Sequence, residues 1–356
     1  MDYKSIELQI LQLEESFSKS RSNIYSDPKK QTHFDELHIL FKAIKKSDYK
    51  HFDLLNLQNH FFLLNYIFKG LEYLDNSTLN IIPYEIISCL EYALEDWIDK
   101  NKFIIATSLS NKNLDFYFES TDSNEEFNNI NILIDGLYGH KLTHRLIKIS
   151  LPKVLSRDYL SCVVLYHELG HFVDMELNIS KKIFLKNYHK TDPTNYDEYE
   201  FLCHKREYFA DLFAAQYIND ASNLFLNYIA FDNPDCETHP ATNKRISVVE
   251  NFLKGRICSE LNEFNSVLSV SGPTELKIRY KKLDINKSDF LKLIPQNIKD
   301  VGELHYIFKL GWDFWNTSES NFLKNFESRQ KYHIINNLIE KSISNYTITE
   351  KWQEIL

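Results

Sequence analysis

The scarcity of glycine and proline is the feature of this sequence that most constrains its fold. Only 8 Gly and 8 Pro occur among 356 residues, so few positions can end a helix or form a tight hairpin turn. Apolar residues also recur near helical spacing in four N-terminal segments, at residues 6–18, 34–45, 52–74 and 84–99. We therefore predict a mostly helical chain.

A stretch of different character follows these helices. Between residues 103 and 151, short runs rich in β-branched and aromatic residues alternate with clusters of Asn, Asp and Ser. These runs lie at residues 103–106, 114–118, 130–134 and 146–151. They predict a small mixed sheet, so the expected fold class is helix-rich α+β.

The predicted elements divide the chain into three regions. Two longer helices, at about 158–176 and 196–219, follow the sheet, and Asp158 is placed to cap the first of them. The sequence Ser271-Gly272-Pro273 marks a break before the last helices. The regions are a helical N-terminal region (1–100), a core that carries the chemistry (101–270) and a helical C-terminal region (271–356).

The charge of the chain argues against one class of partner. The formal net charge is -9, from 41 basic and 50 acidic residues, and phosphate contacts need a basic surface. We therefore assign no nucleic-acid partner. No apolar signal-peptide core opens the sequence and no segment stays apolar long enough to cross a bilayer, so we expect a soluble cytoplasmic protein with no membrane span.

The five cysteines are scattered, without the paired spacing of a metal knuckle. Their number is odd, which does not fit a closed disulfide framework. We predict buried free thiols at Cys89, Cys162, Cys203, Cys236 and Cys258.

The sequence His167-Glu168-Leu169-Gly170-His171 carries the strongest chemical signal. Its two histidines lie four residues apart, so they project from one face of a helix toward a single metal ion. Neutral imidazole suits Zn²⁺, and a catalytic zinc site needs three protein ligands with one position left for water. We predict His167 and His171 as zinc ligands and Glu168 as the general base.

A pair of carboxylates on the second long helix can complete the site. Glu207 and Asp211 lie four residues apart among apolar neighbours, so both face the same side of a largely buried helix. We predict Glu207 as the third zinc ligand. Asp211 is then placed to accept the free imidazole N–H of the ligand histidine His167, and so to fix its tautomer.

A third motif follows, in which His239-Pro240 opens a new helix and Arg245 lies one turn inside it. Negative charge develops on the carbonyl oxygen during peptide hydrolysis, and an imidazole or a guanidinium can stabilise it. We predict that His239 and Arg245 act in catalysis in this way. The alternatives are a plain helix start for His239 and a structural ion pair for Arg245.

Together these motifs resemble a known family. The stretch ISLPKVLSRDYLSCVVLYHELGH at residues 149–171 resembles the strand, turn and active-site helix of the CAAX prenyl endopeptidase and HtpX-like gluzincins. The motifs at 207–211 and 239–245 look like that family's later motifs. The resemblance covers residues 147–246. It implies a zincin-like fold and the same roles for His167, His171, Glu207, Glu168, Asp211, His239 and Arg245.

The function expected on this basis is a soluble zinc-dependent endopeptidase that acts on a protein or peptide substrate. The strand at 146–151 is the expected edge for pairing with an extended substrate. One alternative is a latent or catalytically silent zincin-fold sensor, because the flanking helices would allow a regulatory protein partner to control the cleft. The motif is also similar to that of the ImmA/IrrE-like peptidases, soluble enzymes that cleave repressors. They rank second because they do not explain His239 and Arg245.

Overall fold

The structure is a computed structural model. It describes residues 2–23, 25, 27–77, 84–110, 117–119, 124–155, 157–271, 275–285, 289, 292–316 and 326–353. The chain forms two compact units, one from Met1–Ile82 and Asp99–Lys153, the other from Pro83–Ile98 and Val154–Leu356. Across the described ranges, no helix combines the length and the apolar character that a membrane crossing requires.

The secondary structure is mostly helical, as predicted. The strands are β1 (Phe103–Ser110), β2 (Tyr117–Glu119) and β3 (Arg145–Pro152). The α-helices are α1 (Tyr3–Ser20), α2 (Pro28–Lys46), α3 (Leu54–Asn76), α4 (Tyr84–Glu95), α5 (Asn124–Tyr138), α6 (Val164–Leu177), α7 (Ile179–Tyr188), α8 (Tyr196–Ile218), α9 (Ala221–Ile229), α10 (Thr242–Leu253), α11 (Ser259–Ser271), α12 (Val301–Asn316) and α13 (Ser328–Gln353). The four predicted N-terminal helices are confirmed as α1 to α4.

The first unit contains α1, α2, α3, α5 and the sheet. Each of the first three helices begins at an aspartate, Asp2, Asp27 or Asp53, whose carboxylate accepts backbone N–H groups of the first turn. Apolar side chains from the four helices form one buried cluster, which includes Ile6, Leu13, Leu37, Ile44, Leu63, Ile67, Phe127 and Ile134. β1 packs against α3, and the sheet lies in the same compact unit as the N-terminal helices α1, α2 and α3.

The sheet has the order β1-β3-β2, with β1 parallel and β2 antiparallel to β3. A small sheet beside many helices confirms the predicted α+β class. The strand predicted at 130–134 is wrong, because these residues lie within α5. There Phe127, Ile130 and Ile134 are buried at helical spacing. Of the strand predicted at 114–118, residues 114–116 lie outside the described residues and the rest falls in β2.

The prediction that residues 146–151 offer an edge to a substrate is wrong for part of that run. β3 is the central strand, and Lys148, Ile149 and Ser150 pair with β1 on one side and with β2 on the other. The backbone groups of these residues are therefore already used within the sheet.

The second unit is built around α6 and α8, whose facing sides are buried. α8 begins with reciprocal capping, in which Asn195 Oδ1 accepts the N–H of Glu198 and the Glu198 carboxylate accepts that of Thr194. α6 begins later than predicted, at Val164, because Asp158 caps the preceding turn through the N–H groups of Leu160 and Ser161. The surrounding core includes Trp97, Tyr166, Phe172, Phe209, Phe213, Tyr217, Phe264 and Phe308.

The cysteines are all free thiols, as predicted, but they differ in exposure. Cys89, Cys162 and Cys203 are buried, whereas Cys236 is exposed and Cys258 is half-buried. The prediction of buried thiols is therefore wrong for Cys236 and only partly met at Cys258.

Gly170 allows α6 and α8 to approach closely. A Cβ atom at this position would lie 2.8 Å from Ala210 Cα, 3.0 Å from Phe213 Cβ and 3.1 Å from the Ala210 carbonyl oxygen. Two of these neighbours are backbone atoms of α8, which cannot turn away as a flexible side chain can. Any larger residue at position 170 must therefore push the two helices apart.

We expect Gly170→Ala to lower the free energy of unfolding by about 1–3 kcal/mol, the usual cost of overpacking, although alanine favours a helix by about 1 kcal/mol. Urea unfolding measures this change, with the protein first treated with a chelator so that any bound metal is removed. Gly136→Ala is the matched control, because Gly136 lies in α5 and a Cβ there meets no atom within 4 Å. The control should be neutral or stabilising. Equal effects of the two substitutions would contradict the packing role.

Candidate metal centre

The two histidines of the sequence motif lie one turn apart on α6. Their rings are 4.6 Å apart between centroids and nearly perpendicular, at 86°. His167 is buried, whereas the side chain of His171 is 21% exposed, so solvent reaches the pair from the His171 side. Both Nε2 atoms face α8, where the third predicted ligand lies.

Glu207 on α8 meets both histidines. His167 Nε2 lies 3.4 Å from Glu207 Oε2, and His171 Nε2 lies 3.3 Å from Glu207 Oε1. These three side chains form the one group of ligand-type residues found close enough together to hold a metal ion within the described part of the chain. Glu207 Oε2 is buried and lacks a hydrogen bond of normal geometry, although Arg245 Nη2 and His167 Nε2 lie 3.2 Å and 3.4 Å from it. The Arg245 guanidinium balances part of the charge of this buried carboxylate, and the oxygen can still accept from a metal ion.

The charges around Glu207 keep its carboxylate ionised. Burial alone would raise the pKa of Glu207. The charge of His171, the close contacts with the imidazoles of both histidines and the charge of Arg245 outweigh burial and hold this pKa well below its usual range. The group is therefore available as an anionic ligand at neutral pH.

Asp211 lies one turn beyond Glu207 and contacts His167, as predicted. The distance from His167 Nδ1 to Asp211 Oδ1 is 2.9 Å. An ionised carboxylate can only accept, so Nδ1 carries the proton and Nε2 is directed toward Glu207. Burial would lower the pKa of His167, but the hydrogen bond to Asp211 and the nearby carboxylate of Glu207 raise it to about 10. This pKa refers to the second proton of the ring, on Nε2. A metal ion bound at Nε2 would take the place of that proton.

Arg245, in the first turn of α10, contacts both carboxylates. Its Nε and Nη2 each donate to Asp211 at 2.7 Å, and Nη2 lies 3.2 Å from Glu207 Oε2. Buried among these charges, the guanidinium has its pKa raised further above the ordinary value. The geometry favours the ion-pair alternative for Arg245, in which it orients Asp211 and Glu207.

The two remaining predicted site residues lie beside the ligands. Glu168 follows His167 on α6 and is only 7% exposed. The side chain of His239 is 55% exposed, and its Nε2 lies 3.7 Å from Glu207 Oε1. The structure thus connects six of the seven predicted residues by contacts of 4 Å or less. The seventh, Glu168, is near enough for its charge to help raise the pKa of Arg245.

Two structural contributors to this site were not identified from the sequence. One is Gly170, whose role was signalled only by the presence of a glycine inside a helical motif. The other is His305 on α12. Its Nδ1 lies 2.7 Å from Oη of Tyr166, the residue that precedes His167. Burial lowers the pKa of His305 to about 3, so its imidazole is neutral. This neutral ring contacts α6 through the buried side chain of Tyr166. No local sequence signal links position 305 to the motif.

We expect Asp211→Asn to weaken zinc binding by about 10–100-fold, the typical cost of losing the group that orients a ligand histidine. An amide can still accept one hydrogen bond from His167, but it removes the charge that both His167 and Arg245 face. Competition with a chromophoric chelator measures the affinity. Asp158→Asn, at a buried carboxylate outside the site, should leave the affinity unchanged. A normal affinity in Asp211→Asn would contradict the orienting role.

Comparison of the whole chain with protein-family models, with curated proteins and with solved structures finds no match. The resemblance to gluzincins therefore stays a prediction that rests on the motifs and on the geometry of the residues that form them.

Proposed function

We propose that this protein is a zinc-dependent endopeptidase with a zincin-like catalytic unit. The observation that carries the proposal is the convergence of His167, His171 and Glu207 from two helices, with Glu168 on the same helix as the histidines. Two histidines and one carboxylate form a donor set that zinc enzymes use when a position is left open for water.

The residues present fit a zinc ion. The three candidate ligand atoms lie within 4.8 Å of one another, and the Glu207 carboxylate faces Nε2 of both histidines at 3.4 Å and 3.3 Å. His167, His171 and Glu207 would hold the ion, while Asp211 keeps His167 in the required tautomer. When bound, zinc would supply a Lewis acid and lower the pKa of a water molecule to about 7.

The remaining roles belong to side chains of the chain. Glu168 would accept a proton from the attacking water and deliver it to the leaving amine. His239, exposed beside Glu207, would donate a hydrogen bond to the carbonyl oxygen as negative charge develops there. Arg245 would hold Glu207 and Asp211 in place through its paired contacts. A cytoplasmic location and a regulatory protein partner stay predictions from the sequence.

The test is metal-dependent cleavage of a mixed proteome. The purified protein is assayed as isolated, after chelation and after addition of one equivalent of zinc, and new peptide N-termini are identified by mass spectrometry. We expect one zinc per chain and new termini that disappear on chelation and return with zinc. Bound zinc without any new termini would support the sensor alternative instead. Failure to bind zinc would overturn the site assignment.

A further inference from the structure

The loop between α9 and α10 presents His239 to the candidate site. Backbone and side-chain hydrogen bonds close this loop: Cys236 N donates to His239 O at 2.9 Å, and Ala241 N donates to Asp235 Oδ1 at 2.7 Å. The loop backbone is therefore fixed on both sides of position 239. The imidazole itself is more than half exposed, so packing alone does not determine its orientation.

One contact does constrain the ring. Thr238 Oγ1 lies 2.7 Å from His239 Nδ1, which is a normal hydrogen-bond distance. The other ring nitrogen, Nε2, faces Glu207 Oε1 at 3.7 Å. A neutral imidazole carries one N–H and one acceptor nitrogen, so the partner of Nδ1 decides what Nε2 can do.

We propose that Thr238 is a positioning residue, which holds His239 in the tautomer that bears its proton on Nε2 and aims that N–H at the substrate carbonyl; this inference rests on the proposed function. In this arrangement the Thr238 hydroxyl donates to Nδ1. His239 can then donate from Nε2 to the carbonyl oxygen, where negative charge develops.

The surroundings of the two residues favour this direction of the hydrogen bond. Nε2 faces a carboxylate oxygen of Glu207, which can only accept. On the other side, Cys236 Sγ lies 3.8 Å from Thr238 Oγ1, a contact in which either atom can be the donor. Reversing the bond would leave Nε2 and Glu207 as two facing acceptors.

The experiment separates the orientation of His239 from hydrolysis. Full-length protein labelled with ¹⁵N-histidine is prepared as wild type, Thr238→Val and Thr238→Ser, and the tautomer of His239 is read by NMR with zinc and after chelation. His239→Gln assigns the signal among the 13 histidines. Thr191→Val, which removes an exposed hydroxyl bonded to Asp192, serves as the control. kcat and KM are measured on one peptide cleaved by the wild type.

We expect wild type, Thr238→Ser and the control to carry the proton on Nε2. Thr238→Val should populate the Nδ1–H form and lower kcat by about 5–10-fold, the value of one neutral hydrogen bond, with zinc affinity and KM little changed. The proposal would be overturned if His239 kept its proton on Nε2 in Thr238→Val. It would also be overturned if Thr238→Ser gave the same tautomer and rate as Thr238→Val. If no peptide is cleaved by the wild type, the proposed function fails, and the tautomer still decides whether Thr238 positions His239.

Discussion

Glu168→Gln should lower the rate of peptide hydrolysis by about 10²–10⁴-fold, the usual contribution of a positioned general base, while one zinc ion stays bound per chain. Glutamine keeps the size and shape of the side chain but cannot take a proton from water. The three ligand atoms lie on His167, His171 and Glu207, so the substitution removes none of them. Rates on one peptide substrate and zinc content by mass spectrometry measure the two effects.

The control for this substitution is Glu176→Gln, which changes a carboxylate on the same helix, α6. It should leave both rate and zinc content near the wild-type values. Full activity in Glu168→Gln would show that another group acts as base. A joint loss of zinc and activity would instead assign Glu168 to the metal.

Glu207→Gln should weaken zinc binding by more than about 100-fold, because it removes a ligand, whereas loss of an orienting group typically costs about 10–100-fold. The carboxylate lies against both histidines and Arg245. A neutral amide in the same place cannot balance the positive charge of zinc. Zinc should consequently lose its stabilising effect, which is about 4 kcal/mol for a ligand at 1,000 times its Kd.

Chelator competition gives the affinity, and thermal unfolding with and without zinc gives the stabilisation. Glu200→Gln provides the comparison, since it removes a carboxylate earlier on α8 that lies outside the ligand group. That variant should bind zinc normally and show the wild-type rise in melting temperature. Tight zinc binding by Glu207→Gln would show that a different residue supplies the third ligand.

Much of the candidate site could be predicted because it depends on helical spacing. His167 and His171, and likewise Glu207 and Asp211, lie four residues apart, so each pair shares a helix face wherever that helix packs. The apolar neighbours of Glu207 also indicated a buried carboxylate in need of a partner. What spacing could not predict is the contact between helices, including the bidentate bond of Arg245 to Asp211.

The errors in the fold have a similar origin. The run at 130–134 is too short to show whether its apolar residues follow the spacing of a helix or of a strand. The helical spacing becomes clear only when the buried Phe127, earlier in α5, is included. The central position of β3 depends on pairing with distant segments, which no local pattern specifies. Gly170 and His305 act through neighbours far away in sequence, so their roles appear only in three dimensions.

The close contact of α6 and α8 at Gly170 also has a consequence for how the proposed metal ion would be acquired. Because backbone packing already brings the ligands of both helices together, the entropic cost of assembling the site is met during folding rather than on metal capture. In zinc fingers, by contrast, the metal drives folding itself. If zinc is the ligand, we therefore expect this protein to pass through a folded, metal-free state before it binds the ion.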